Sequence, residues 1–115
     1  MAVHGAGETI KQTILSWPGM HALPHRFGGT EFQYGTREIG HIHGDHLVDL
    51  PFPMRVRDEL IANGQASVHH ILPDSGWVSF YLHQPEDVAR AVALFRRSFE
   101  IASKQQPIQA VENKR

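Results

Sequence analysis

Three histidines stand within six residues of one another in this chain: His41, His43 and His46, inside the run Arg37-Glu38-Ile39-Gly40-His41-Ile42-His43-Gly44-Asp45-His46. Imidazole is the side chain that exchanges protons most readily near neutral pH, and it is also a common metal ligand. If residues 36–43 form a β-strand, alternation places Arg37, Ile39, His41 and His43 on one side. Successive same-face residues on a strand lie roughly 6.5–7 Å apart. That spacing lets two imidazoles and a guanidinium converge on one small organic molecule, or two imidazoles on one metal. A strand that buried this face for packing alone would carry Val or Leu there. The face reads as a site.

The elements that must position it read as α+β. Ile10, Ile14, Leu15 and Trp17 have roughly helical spacing over residues 8–17, and Pro18-Gly19 ends that helix. Short strands are expected at 21–27 and 30–34, joined by a tight turn at Gly28-Gly29. Gly35 separates them from the histidine-bearing strand, and residues 46–50 form a fourth. Pro51-Phe52-Pro53 then launches a helix over 54–63, with Val56, Leu60 and Ile61 inward and Gly64 as its C-terminal cap. Strands near 66–71 and 77–82 follow, split by the turn Pro73-Asp74-Ser75-Gly76.

The clearest helix comes last, over 86–103. Val88, Ala91, Val92, Phe95, Phe99 and Ala102 recur at steps of three and four, forming one apolar stripe. Pro85 suits the first helical position, and Glu86 and Asp87 complement the dipole. The expected architecture is an antiparallel β-sheet packed on one side by the helices at 8–17 and 86–103, with the 54–63 helix at an edge. Residues 1–7 and 104–115 are expected to fray. No internal repeat or linker divides the 115 residues, so one domain is expected, with its core over about 8–103.

Composition excludes several functions. The chain has no cysteine, which removes disulfides, thiolate zinc sites and cysteine nucleophiles. A net charge of −1 argues against a charge-driven polyanion partner. His25, Arg26, Arg55 and Arg57 give a local basic tendency, but no basic stripe with interleaved aromatics, so nucleic acid is not expected. No run of ~18 apolar residues and no signal-peptide core is present, which predicts a cytoplasmic protein with no membrane partner. Ser75 lies in an Asp-Ser-Gly turn without a Gly-x-Ser-x-Gly elbow, and it reads as a turn cap rather than a nucleophile.

From Arg37 to about Ser98 the chain resembles the luciferase domain of bioluminescent fungi, and more closely the short bacterial proteins grouped with it. The resemblance rests on Arg37-Glu38-Ile39, His41 and His43, His46, His70 and Leu72, Trp77, Tyr81 and the Glu86–Val92 helix start. The bacterial relatives are also similar across Asp49-Leu50-Pro51-Phe52-Pro53, Arg57-Asp58 and Pro73-Asp74-Ser75-Gly76-Trp77. The fungal enzymes match only over their C-terminal part, and their longer N-terminal region has no counterpart in this sequence. The resemblance implies a common fold and pocket, not light emission.

It also implies a chemistry. The fungal enzymes act as oxygenases on an electron-rich hydroxypyrone, using molecular oxygen without metal or flavin. Such a site must deprotonate an acidic enol, hold its anion and keep water from the oxygenated intermediate. His41, His43, His70 and Arg37 supply the base and the anion holder. His46, Trp77 and Tyr81 are further ligand-contact candidates, the two aromatic rings as walls that would otherwise serve packing. Two other readings stand beside this one. His41 and His43, with His46 or His70 and a carboxylate from Asp45 or Asp49, match a metal-ligand set. The other is a non-catalytic interaction module. The expectation taken forward is a small-molecule-binding monomer or homodimer, an oxidoreductase of monooxygenase type with molecular oxygen as co-substrate and no resident cofactor.

Overall fold

The structure, a computed structural model, describes residues 2–25 and 28–105. Three helices, α1 (Ala6–Leu15), α2 (Met54–Ala62) and α3 (Glu86–Gln105), accompany six strands. The strands are β1 (Met20–Pro24), β2 (Thr30–Tyr34), β3 (Arg37–His43), β4 (Leu47–Pro51), β5 (Ser67–Val68) and β6 (Trp77–Tyr81). They form one antiparallel sheet in the order β1-β2-β3-β4-β6-β5. The α+β class and the long C-terminal helix are as expected.

α3 lies across β2, β3 and β4, and α1 packs on α3 and β1. The apolar stripe of α3 faces the sheet: Ala91, Phe95, Phe99 and Ala102 are buried, joined by Leu94. Phe95 meets Phe32 edge-on at 5.5 Å between ring centroids, and Phe99 meets Tyr34 likewise at 5.6 Å. From the strands, Phe32, Ile42, Val48, Leu50 and Val78 complete this layer. α2 is held at its end by Gly64, whose φ of 70° suits the expected cap, and contributes Val56 and Leu60.

The N-terminus departs from the fraying expected of residues 1–7. α1 starts at Ala6, which is buried, and Asp45 draws the segment in. Its carboxylate accepts the Gly5 and Gly7 N–H groups at 3.2 and 2.7 Å, while its carbonyl accepts Val3 N–H at 3.1 Å. The Gly5 and Gly7 donors are among those that a helix start leaves unpaired. At the other end α3 runs through Gln105; the expected fraying of 106–115 falls outside the described residues, as does the end of the predicted 21–27 strand.

Strand β5 is also shorter than the expected 66–71. After Val68 the backbone turns, because His69 Nδ1 accepts the N–H groups of Ile71 and Leu72 at 3.1 and 3.0 Å. A side chain that captures backbone donors competes directly with the sheet ladder. The residues after it become a loop that carries His69 and His70 over the sheet.

One irregularity decides what that sheet presents. Phe32 pairs with Gly40 but Gln33 pairs with Glu38, so Ile39 is an extra residue in β3. This β-bulge shifts the alternation by one. Gly40 has φ +150°, and a Cβ on it would stand 2.7 Å from the Phe95 ring and 2.9 Å from the Asp49 carbonyl oxygen. Only glycine fits that contact without displacing its neighbours.

Candidate functional site

The face of the sheet away from α3 carries His41 and His43 from β3, Asp49 from β4 and Trp77 and Ser79 from β6. Register explains the grouping, since His41 pairs with Asp49, and Asp49 with Ser79. Asp49 is 0% exposed in the middle of an otherwise apolar strand. A buried carboxylate needs several donors to be tolerated. It has them. Its Oδ1 accepts the Ser79 hydroxyl at 2.6 Å, and its Oδ2 is approached by Nε2 of His43 at 3.1 Å, His70 at 3.2 Å and His41 at 3.3 Å. His69 Nε2 stands 3.6 Å from Oδ1.

His41 is the pivot. Its Nδ1 lies 2.7 Å from Glu38 Oε2, its ring stacks on His25 at 4.0 Å between centroids, and Trp77 tilts against it at 5.4 Å. Burial alone would depress the His41 imidazolium, but the hydrogen bonds and charges of Asp49 and Glu38 outweigh it and raise the pKa to about 9. The neighbouring rings go the other way. Burial and the charge on His41 push His43 down, and burial outweighs the attraction of Asp49 to push His69 down as well. Burial would raise the Asp49 carboxyl, yet its hydrogen bonds to His41, Ser79 and His70 hold it well below the usual carboxylate range.

Above these groups lies a cavity of about 610 Å³. Glu31, Glu38, His25 and Trp77 share its lining with the histidines, and Pro24, Ile71 and Leu72 supply apolar surface. A hollow of this size suits a small organic molecule.

Not every residue expected at the site is there. His41, His43 and His70 come together on Asp49 and Trp77 walls the cavity, as the sequence suggested. Arg37 does not join them. The extra residue Ile39 turns Glu38 to the histidine face and Arg37 to the helix side, where its guanidinium hydrogen-bonds Gln105 of α3. His46 is exposed in the turn before β4 and is absent from the cavity lining. Tyr81 shares the sheet face but pairs with Leu47, is 39% exposed and lies beside His83 rather than over Asp49. Of the two carboxylates named as metal partners, Asp45 is engaged with α1 and Asp49 is central.

Asp49 was named only as a metal-ligand alternative, and Glu38, His25, His69 and Ser79 were missed. A charged residue within Leu47-Val48-Asp49-Leu50 is itself a signal, because an apolar strand buries a carboxylate only for a reason. Glu38 was legible only after the bulge is known. His25 carries no local signal, since the β1–β2 hairpin brings it in.

The sequence profile described as Luciferase domain matches residues 36–98, more than half of the chain. The chain belongs to the luciferase-domain family. No curated protein and no solved structure matches it. The luciferase-domain match runs from the start of β3 into α3, and so contains His41, His43, Asp49, His69, His70 and Trp77. It leaves out α1, β1 and β2, and with them His25 and Glu31. Among the described residues no helix is long and apolar enough to cross a membrane.

Proposed function

We propose that this luciferase-family domain binds a small enolisable or anionic organic molecule in the cavity above Asp49, as the substrate of oxygenase-type chemistry with molecular oxygen. The observation that carries the reading is the buried carboxylate of Asp49, which gathers three imidazoles at the floor of a hollow large enough for such a molecule. Asp49 lies at the bottom of the cavity, beneath the rings it holds, and acts through them. With a proton on Nε2 facing Asp49, His70 has Nδ1 as its basic atom, the arrangement that lets a carboxylate orient an imidazole base. His70 is also the most accessible of the three, its side chain 33% exposed, so it takes the enol proton. The positive charge on the His41 ring offsets the resulting anion, His43 lines its seat, and Trp77 covers the ring. Removing water strengthens that electrostatic interaction. A cytoplasmic setting and a small-molecule partner belong to the same reading.

The test is ligand-induced thermal stabilisation with a panel of hydroxypyrones, catechols and enolised β-diketones, followed by oxygen uptake for any molecule that binds. His41→Ala and His43→Ala should abolish stabilisation while the circular dichroism spectrum stays native. His70→Ala should retain binding and lose oxygen uptake. Binding that survives both His41→Ala and His43→Ala would place the ligand elsewhere and end the proposal.

A further inference from the structure

The imidazole approaches to Asp49 are longer than the charge-assisted hydrogen bonds made elsewhere in the site. Such bonds are about 2.7–2.9 Å long from a nitrogen and about 2.5–2.7 Å from a hydroxyl, and the site makes both: His41 Nδ1 to Glu38 at 2.7 Å and Ser79 Oγ to Asp49 at 2.6 Å. The three Nε2 atoms instead stand 3.1, 3.2 and 3.3 Å from one oxygen, Oδ2. Three donors crowd a single oxygen while the other takes the hydroxyl. For His41, His43 and Asp49 the donor atoms all lie within 4.8 Å of one another.

The separations of 3.1 and 3.3 Å between Oδ2 and the two imidazole nitrogens are those of cis ligands around one cation. With metal–ligand bonds of about 2.1 Å and an angle near 100°, adjacent donors are separated by roughly 3.2 Å. The supporting contacts are those a metal site uses. A ligating histidine typically gives its other ring N–H to a carboxylate, which fixes its tautomer and strengthens it as a donor. Glu38 stands in that position behind His41. Ser79 occupies the other oxygen of Asp49 and so leaves Oδ2 as the available donor. We infer that Nε2 of His41, Nε2 of His43 and Oδ2 of Asp49 form a two-histidine, one-carboxylate site for a divalent transition-metal ion, its remaining positions open to the cavity.

Nitrogen and carboxylate donors without sulfur favour iron(II), manganese, cobalt or zinc over the softer copper(I), and this donor set with open positions is the one that supports oxygen chemistry at iron(II). Calcium and magnesium prefer all-oxygen shells. The inference deepens the proposed ligand site, whose floor these residues form, but does not depend on it. An ion there would take over from the His41 charge the task of holding an enolate, and His70 remains the proton acceptor. The family resemblance by itself implies chemistry without a metal; the donor spacing in this chain adds the ion.

Cobalt(II) alone, added to the tag-free 115-residue chain after chelator treatment, tests this by calorimetry and visible absorption. One equivalent should bind with a dissociation constant in the micromolar range or below and give d–d bands of a nitrogen–oxygen site. His43→Ala and Asp49→Asn should weaken binding by more than 100-fold, and Glu38→Gln by about 10–100-fold. His46→Ala and His83→Ala, which alter histidines away from the cavity, should change nothing. If Asp49→Asn does not fold, the half-buried His43 still gives the decisive variant. Binding weaker than millimolar, or binding that His43→Ala leaves intact, overturns the inference. Enol stabilisation of the metal-stripped protein separates the two readings: if it persists while cobalt fails to bind, the ligand site stands and the metal site falls.

Discussion

Ile39 decides which of its neighbours reaches the histidines. As the extra residue of the bulge it sends Glu38 to His41 and Arg37 to the helix side. Arg37→Ala is therefore expected to leave ligand-induced stabilisation within experimental error, while Glu38→Ala reduces it. A loss in the arginine variant comparable to that of His41→Ala would contradict the face assignment. Gly40 keeps the bulge closed against Phe95. Gly40→Ala adds a methyl into that contact at a φ that L-residues avoid, so a loss of about 1–3 kcal/mol is expected from overpacking. Urea titration measures it, and an unchanged midpoint would show that the strand relaxes freely.

At the scale of the element, α3 is both the main core helix and the anchor of the chain after β6. Asp87 makes the second role concrete: its carboxylate accepts the His83 and Gln84 N–H groups at 2.9 and 3.2 Å and pairs with Arg90 at 2.9 Å. The His83 hydrogen bond, against some desolvation and with Arg90 adding, lowers the Asp87 pKa below its ordinary 3.8. A carboxyl depressed in the folded state binds fewer protons there than in the unfolded chain. Its stabilisation is complete above the unfolded pKa near 3.8 and is lost as pH falls through the folded value. Asp87→Asn should thus cost stability at pH 7 and narrow its gap to the native chain as pH drops below about 4. Denaturation midpoints at several pH values between 7 and 2 measure this; a gap that widens on acidification would reverse the sign.

Across the whole molecule, one sheet separates two chemistries. The helix side holds the apolar layer around Phe32, Phe95 and Phe99, and the other holds Asp49 and its imidazoles. Phe95→Ala should cost about 3–5 kcal/mol, because its fully buried ring fills space that the helix and sheet cannot readily close. Its ligand-induced shift should survive at temperatures where it is folded. His43→Ala should show the converse, near-native stability with binding lost. Equal damage to both properties from either substitution would mean that the two faces are coupled.

The sequence determined the helices and their inner faces because their apolar period repeats over many residues; the α3 stripe needed no partner to be read. It also determined that the His41–His43 strand was unlike a packing strand, and that thiol chemistry was absent. Tertiary structure decided what those histidines face. Asp49 becomes the centre only when β4 pairs with β3 and β6, and His70 joins only because His69 captures the backbone beyond β5. Arg37 was misplaced for the same reason that Glu38 was missed. Strict alternation is a local rule, whereas a bulge is fixed by a distant contact, here the approach of Phe95 and the β4 backbone to Gly40.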